Sequence, residues 1–273
     1  MARHIQIAAT SNRRRGAAGA APFVDPSSIS GCLQFVEMDR GILPDPISDE
    51  DNITGWTDEW SGSDRDFTQA TSSNQPEYDE DYFDPAGANF NGANDHLQAG
   101  NVSDMNFERT DDFYLIVAFK TPASFGTGFQ VLYSKQINIS PYAGWLLHNV
   151  DKTCRMQMRY NASNDVNVAG GTALSNDTFY IVEIKYTGAS TPTGSAIEIF
   201  LNGSTESLTD NSAGTLDGTT QSIGEVMLGA RGISGTSTTG YTTVIYAAAG
   251  CYNELPSDDD RTSLRTYLTD KYN

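Results

Sequence analysis

The run WLLHNVDKTCRMQMRY, residues 145–160, decides how this chain folds. In its second half Cys154, Met156, Met158 and Tyr160 fall on one side, and Arg155, Gln157 and Arg159 on the other. That is a period of two, the repeat of a strand with one face in a core and the other turned away from it. Residues 145–150 supply an apolar partner strand, and the connector VDKT is short enough for a hairpin. The spacing therefore predicts an antiparallel pair.

The same pattern spreads outward. In YIVEIKY (180–186), Tyr180, Val182, Ile184 and Tyr186 alternate with Ile181, Glu183 and Lys185. In AIEIFLNG (196–203), Ile197, Ile199 and Leu201 alternate with Glu198, Phe200 and Asn202, and Asn202-Gly203 signals a tight turn. DDFYLIVAFKTP (111–122) has a continuous apolar centre, as expected of a strand buried on both faces. GFQVLYSKQI (128–137), EVMLGARG (225–232) and YTTVIYAAAGCY (241–252) read as further strands. ANFNGANDHLQAG (88–100) reads as two short strands around Gly92, and CLQFVEMDRGIL (32–43) as a first strand. Between residues 43 and 86 lies a long polar stretch whose Trp56, Trp60, Phe67, Tyr78, Tyr82 and Phe83 are expected to make hidden contacts. One helix is predicted, within ELPSDDDRTSLRTYLTDKY (254–272). Ser257 suits its N-cap, Asp258–Asp260 crowd its first turn, and Leu264, Tyr267 and Leu268 form its apolar stripe.

Composition agrees with many short strands: 25 Gly and 13 Tyr in 273 residues. Charge is lopsided, with 17 Lys and Arg against 35 Asp and Glu, a net of −18. Such a surface argues against binding nucleic-acid phosphates, which demands positive charge. The three cysteines, Cys32, Cys154 and Cys251, are an odd number with no CxxC pair, so neither a disulfide framework nor a zinc knuckle is indicated, and a single bridge is left open. No run is long and apolar enough to cross a bilayer, and the first residues lack the apolar core of a signal peptide. Residues 1–28 read as an arm carrying Arg3, Arg13, Arg14 and Arg15, suited to docking on an acidic partner surface, ahead of a sandwich over 29–273.

The order of the pieces resembles the concanavalin A-like sandwiches, in particular the laminin-G-like domains of bacterial and bacteriophage proteins. WTDEWSG (56–62), followed by TQATSSNQPEY (68–78), is similar to that family's entry segment. NFNGANDHL (89–97) resembles its F-x-G-x-x-D-x-L turn, FYLIVAFK (113–120) its central strand, and IEIFLNG (197–203) the strand ending in Asn-Gly. VMLGARG (226–232) and AGCYNELPSDDDRTSLRTYLTDKYN (249–273) resemble the closing strands and terminal helix. The resemblance implies an all-β jelly-roll sandwich with an extended N-terminal arm and a short C-terminal helix. It also implies that Trp56 and Trp60 plug a long loop onto the core, and it fixes no activity.

Catalysis is not indicated. The acid strand motif of the glucanases on this fold has its nearest match in EYDED (77–81), whose spacing differs and which reads as a solvated acidic loop. His4, His96 and His148 stand near no nucleophile elbow. Acidic runs at 48–52 and 79–84, with Asn94 and Asp95, offer oxygens for calcium, but sequence shows no convergence and no cofactor is assigned. For a sugar, the candidate aromatics are Tyr142, Trp145, Tyr241 and Tyr252. The leading expectation is a non-enzymatic virion protein, a decoration or fibre-type component displayed on a phage particle in multiple copies and docked to a capsid or tail protein by its arm. The alternative is a carbohydrate-binding module for host glycans, and the third reading is a glycoside hydrolase.

Overall fold

The hairpin forms in the register its alternation requires: Trp145 faces Met158, Leu147 faces Met156, and Val150 meets Thr153 at the turn. The structure, a computed structural model, describes residues 24–60, 65–83, 86–233 and 237–273. Two antiparallel sheets stack face to face as a jelly-roll sandwich of the concanavalin A-like kind, closed by one C-terminal helix.

Among the described residues the first sheet has eight strands. Its middle is Phe113–Lys120, flanked by Phe179–Tyr186 and Ile245–Tyr252, with Val117 opposite both Val182 and Ala249. The second has ten described strands and runs from Leu208–Asp210 through Asn164–Ala173, Thr153–Asn161, Gly144–Val150 and Gln130–Gln136 to Ile42–Leu43. Strand direction decides which side chains meet between the sheets. Phe113 stacks on Phe107 (4.5 Å) and Tyr186 (4.8 Å), and Trp145 lies 6.4 Å from Phe113 and 5.1 Å from Tyr133. This aromatic layer is the centre of the core.

The alternate residues of the first sheet point the other way, under the helix Asp258–Tyr272. Ser257 caps that helix by accepting from the Asp260 N–H (3.1 Å), and Leu264 and Leu268 are fully buried. Two buried carboxylates hold it from below. Glu183 accepts from Arg261 Nε (3.1 Å), Arg265 Nη1 (2.7 Å) and the Tyr114 hydroxyl (3.0 Å). Glu37 accepts from Lys271 Nζ (2.8 Å), the Tyr267 hydroxyl (2.6 Å) and Trp60 Nε1 (3.1 Å).

The tryptophans of the polar stretch are plugs. Trp56 is fully buried and donates from Nε1 to the Glu37 carbonyl (3.1 Å); Trp60 is half-buried, edge-on to Phe35 at 6.5 Å, with Arg40 over its ring. Asp58 between them accepts from the Phe35 and Trp60 N–H groups.

Three expectations change. Residues 32–43 are not one strand: Cys32–Glu37 joins the first sheet and Ile42–Leu43 the second. The chain turns at Gly41, where φ is +67° and a Cβ would sit 2.6 Å from the Thr57 carbonyl oxygen. The acidic EYDED run is not wholly loop, since Glu77–Asp79 forms the edge strand of the first sheet against Gly87–Asn89. The long strand Asn164–Ala173 was not expected. Cys154 and Cys251 are buried and all three cysteines are free. Of the expected arm, Arg3, Arg13, Arg14 and Arg15 lie outside the described residues. Its last part, from Val24, packs on the body, where Pro26 is buried and its carbonyl accepts from the Tyr252 hydroxyl (3.4 Å).

Candidate functional site on the outer face of the ten-stranded sheet

The alternation that sends Cys154, Met156 and Met158 into the core sends Arg155, Gln157 and Arg159 to the outer face of the ten-stranded sheet. Cross-strand pairing then fixes their company. Arg155 lies between His148 and Ala169, Gln157 between Leu146 and Asn167, and Arg159 opposite Asp165. Gln136 reaches this face from the next strand, and Arg231 reaches it from the short hairpin of Arg231–Ile233 with Ser237–Thr239.

These groups form a chain of hydrogen bonds. Arg231 Nη1 donates to Gln136 Oε1 (2.6 Å), Gln136 Nε2 to Gln157 Oε1 (3.4 Å), and Gln157 Nε2 to Asp165 Oδ2 (2.7 Å). Arg159 completes it, donating from Nη2 to Asp165 Oδ2 (2.9 Å) and from Nε to the same oxygen (3.3 Å). The exposed ring of Phe129 forms one wall, 4.8 Å from the Arg231 guanidinium and 5.1 Å from the His148 ring.

Although the face points away from the core, several of its side chains are covered. Gln136, His148, Gln157 and Asp165 are all buried. More than nine in ten buried polar groups in folded proteins have a hydrogen-bond partner. Here four buried atoms have none among the described residues: His148 Nδ1, Arg155 Nε, Asn167 Oδ1 and Arg231 Nε. Burial pushes the His148 imidazole down to about 3, and the charges of Arg155, Arg231 and Arg159 push the same way, so it is neutral at pH 7. Burial, with Arg159 nearby, also lowers Arg231 from its usual value. The face thus carries three guanidiniums and one carboxylate, with the imidazole uncharged.

The four aromatics expected to serve a sugar do not come together. Trp145 is fully buried between the sheets and donates from Nε1 to the Met105 carbonyl (3.0 Å). Tyr252 is fully buried against Tyr114 beside the N-terminal turn. Both rings fill core, because each sits on the inward side of a central strand or under the covering helix, so neither reaches a surface ligand. Tyr142 is half-buried in the loop after the Gln130–Gln136 strand, at φ +65°, close enough to Arg231 to interact electrostatically. Tyr241 is half-buried; its hydroxyl bonds to Thr238 and its ring lies 6.0 Å from that of His96. Of the four, Tyr142 alone borders the arginine face. Sequence reading missed Gln136, His148, Asp165, Asn167 and Arg231 as a group. A signal was present in NDVNVA (164–169), which alternates Asp165 and Asn167 with Val166 and Val168.

Two other polar regions are less suited to a ligand. The acidic runs meet, since Glu50 donates from its N–H to the Tyr78 carbonyl and Tyr78 from its N–H to the Asp51 carbonyl (both 2.8 Å). Burial and the neighbouring Glu50, Asp79 and Asp49 raise the Glu77 carboxyl. Among the described residues no group of three or more His, Cys, Asp or Glu is placed to hold a metal ion. A groove of about 520 Å³ is lined by Asp104, Asn106, Asp111 and Asp112 among others. Its carboxylates are occupied locally: Asp104 by Arg65, Asp111 by the Glu108 N–H, and Asp112 by the Gly188 N–H.

No protein-family model and no curated protein matches the chain. Among solved structures it is similar to Trypanosoma rangeli sialidase in complex with sialic acid, at 12% identity over 93% of this chain and 36% of that one, with a TM-score of 0.56. It is also similar to the binding domain of Paraclostridial Mosquitocidal Protein 1, at 10% identity over 88% of this chain and 52% of that one, with a TM-score of 0.60. The chain spans about a third to a half of the length of these two proteins. Identities this low carry the shared β-sandwich and nothing of the site's chemistry.

Proposed function

We propose that this chain is a carbohydrate-binding module that holds a glycan on the outer face of its ten-stranded sheet. One observation carries the reading: four buried polar atoms of that face have no hydrogen-bond partner among the described residues. A sugar hydroxyl both donates and accepts, so it suits a face built of guanidiniums, amides and a carboxylate. Phe129 and Tyr142 border the same face and offer rings to the apolar side of a pyranose. The sandwich shared with a sialidase and with a toxin binding domain is compatible with this role.

The module is non-catalytic in this reading. Glycoside hydrolysis ordinarily uses two carboxyl groups across the scissile bond. The hydrogen-bonded network holds one, Asp165, and that carboxylate is engaged by Gln157, Arg159 and the Ala213 N–H (3.0 Å).

A glycan array with the whole chain tests the proposal. Saturable binding is expected, weakened about tenfold or more by Asn167→Ala, which removes one hydrogen-bonding group, with no release of reducing sugar. Binding that survives both Asn167→Ala and Gln136→Ala would place the glycan elsewhere.

Display on a phage particle is a separate reading compatible with the first. It is motivated by the contrast between Arg3, Arg13, Arg14 and Arg15 and an acidic body. Deleting residues 1–23 is expected to leave the sandwich folded and to abolish co-sedimentation with particles; undiminished co-sedimentation would reject it.

A further inference from the structure

Resting on that glycan-binding reading, we infer that the ligand carries a carboxylate, seated between Arg155 and Arg231. The argument starts from charge. The chain has 35 acidic residues for 17 basic ones, so carboxylates to neutralise a guanidinium are plentiful. Most described cations use them: Arg40, Arg65, Lys120, Arg159, Lys185, Arg261, Arg265 and Lys271 each pair with an acid within 4 Å. Arg155 and Arg231 do not pair with any described acid, both lie by His148 on the same face, and each has a buried Nε with no partner among the described residues.

The neighbours keep the imbalance in place. Where a glutamate would fit the same space, the residue that accepts from Arg231 is an amide, Gln136, and it leads on through a second amide, Gln157, to Asp165, while Arg155 has His148 and Ala169 as its strand partners. Asp165 itself is held by Arg159 and is not free to serve the other two. A half-buried guanidinium without a counter-charge is unfavourable, and a bound carboxylate relieves it. Arginine offers a planar fork of N–H donors that matches a carboxylate bidentately, and burial strengthens the pairing. Phe129 then meets the apolar face of the sugar ring while the acid group lies toward the guanidiniums. The chemistry is that of a saccharide acid, from a sialic acid or from a uronic acid; a neutral saccharide leaves both charges unanswered.

Titration calorimetry on the whole chain tests this with matched pairs. 3′-Sialyllactose is set against lactose, and tetragalacturonic acid against its methyl ester, so the two sources of carboxylate are separated. In at least one pair the acid is expected to bind about tenfold or more tightly than its neutral congener, the scale of one charge-assisted contact. Its affinity is also expected to fall as salt rises. Arg155→Gln should bring the acid-to-neutral ratio towards one, and Arg231→Gln should do the same. Neither is expected to lower the melting temperature, which verifies that the variants fold. Equal affinity within both pairs overturns the carboxylate inference and leaves the glycan reading standing. Failure of any saccharide, acidic or neutral, to bind on a broad array overturns both. Retention of the full ratio in both folded variants removes the arginines from the site.

Discussion

The C-terminal helix is fastened by a carboxylate that water does not reach, and removing its charge is a direct test of how the sandwich is closed. Glu183 is fully buried, and the Arg261 side chain facing it is only 6% exposed. Glu183→Gln keeps the shape and the Tyr114 contact but strips the negative charge from beneath two guanidiniums. Arg265, at 20% exposure, can turn towards solvent. Arg261 cannot turn so freely, because its guanidinium lies 3.9 Å over the Phe200 ring, and its other acid, Asp258, is 90% exposed and screened. Breaking one partner of a buried pair costs about 3–5 kcal/mol. Since Arg265 escapes, the expected loss is at the low end, about 3 kcal/mol. For a chain of this size that corresponds to ~6–12 °C in melting temperature.

Urea unfolding followed by tryptophan fluorescence measures the loss, with an unchanged slope showing that the unfolding unit is the same. The apolar triple substitution Glu183→Leu, Arg261→Met and Tyr114→Phe removes both charges and the buried hydroxyl that would lose its acceptor. It is expected to return stability to within about 1 kcal/mol of the parent, because desolvation of the pair opposes most of its attraction. A cost below about 1 kcal/mol for Glu183→Gln, or a triple variant no better than Glu183→Leu alone, would falsify the view that a desolvated charge pair fixes the helix.

Trp145→Ala is expected to cost about 3–5 kcal/mol of folding stability as a core deletion, read from the urea midpoint. At temperatures where it stays folded it should bind glycans as the parent does, and a selective loss of binding would return Trp145 to the site. The buried imidazole of His148 sets a pH dependence. Its folded value is about 3 against an ordinary 6.5, so between those values the unfolded chain binds a proton that the folded chain refuses. Its contribution to stability is complete above pH 6.5 and declines as pH falls, by about 1.4 kcal/mol per unit. Relative to His148→Gln, the parent should therefore lose ~2 kcal/mol more between pH 7 and pH 5; parallel curves for the two proteins would contradict the burial of a neutral ring.

What the sequence shows is what repeats within one strand. Alternation placed the hairpin at 145–160 and strands within 180–186 and 196–203, apolar runs placed those within 111–122 and 241–252, and the cap with its helical spacing placed the helix, and each formed. The stretch from 43 to 86 was opaque because its strands are two or three residues long, too short for a period to register. They are held by single side chains reaching other segments, as Trp56 does to Glu37. Arg155 and Arg159 were visible as the outer side of their strand, yet nothing local distinguishes a covered outer face from a solvated one. The residues that cover it arrive from afar: Gln136 and Arg231, which bond to one another, are 95 positions apart. Aromatic residue type misled in the opposite direction. Trp145 and Tyr252 have the composition of sugar platforms, but strand phase sends both rings inward.

That charge, and not shape, selects the ligand can be tested without truncating any side chain. Gln136 already places Oε1 2.6 Å from Arg231 Nη1, and its Nε2 makes only a long 3.4 Å contact to Gln157. Gln136→Glu therefore installs a carboxylate where an amide oxygen already accepts, at almost no change in volume. Arg231 gains the counter-charge that it lacks, so folding stability should hold or rise by about 1 kcal/mol, the scale of a half-buried charge-assisted hydrogen bond. The built-in carboxylate then competes with the ligand's. Affinity for the acidic saccharide should fall about tenfold or more while that for its neutral congener changes far less. A glutamate at 136 that leaves the acidic saccharide bound as tightly as before would show that Arg231 meets hydroxyl groups alone, and the selectivity would have to be sought at Arg155.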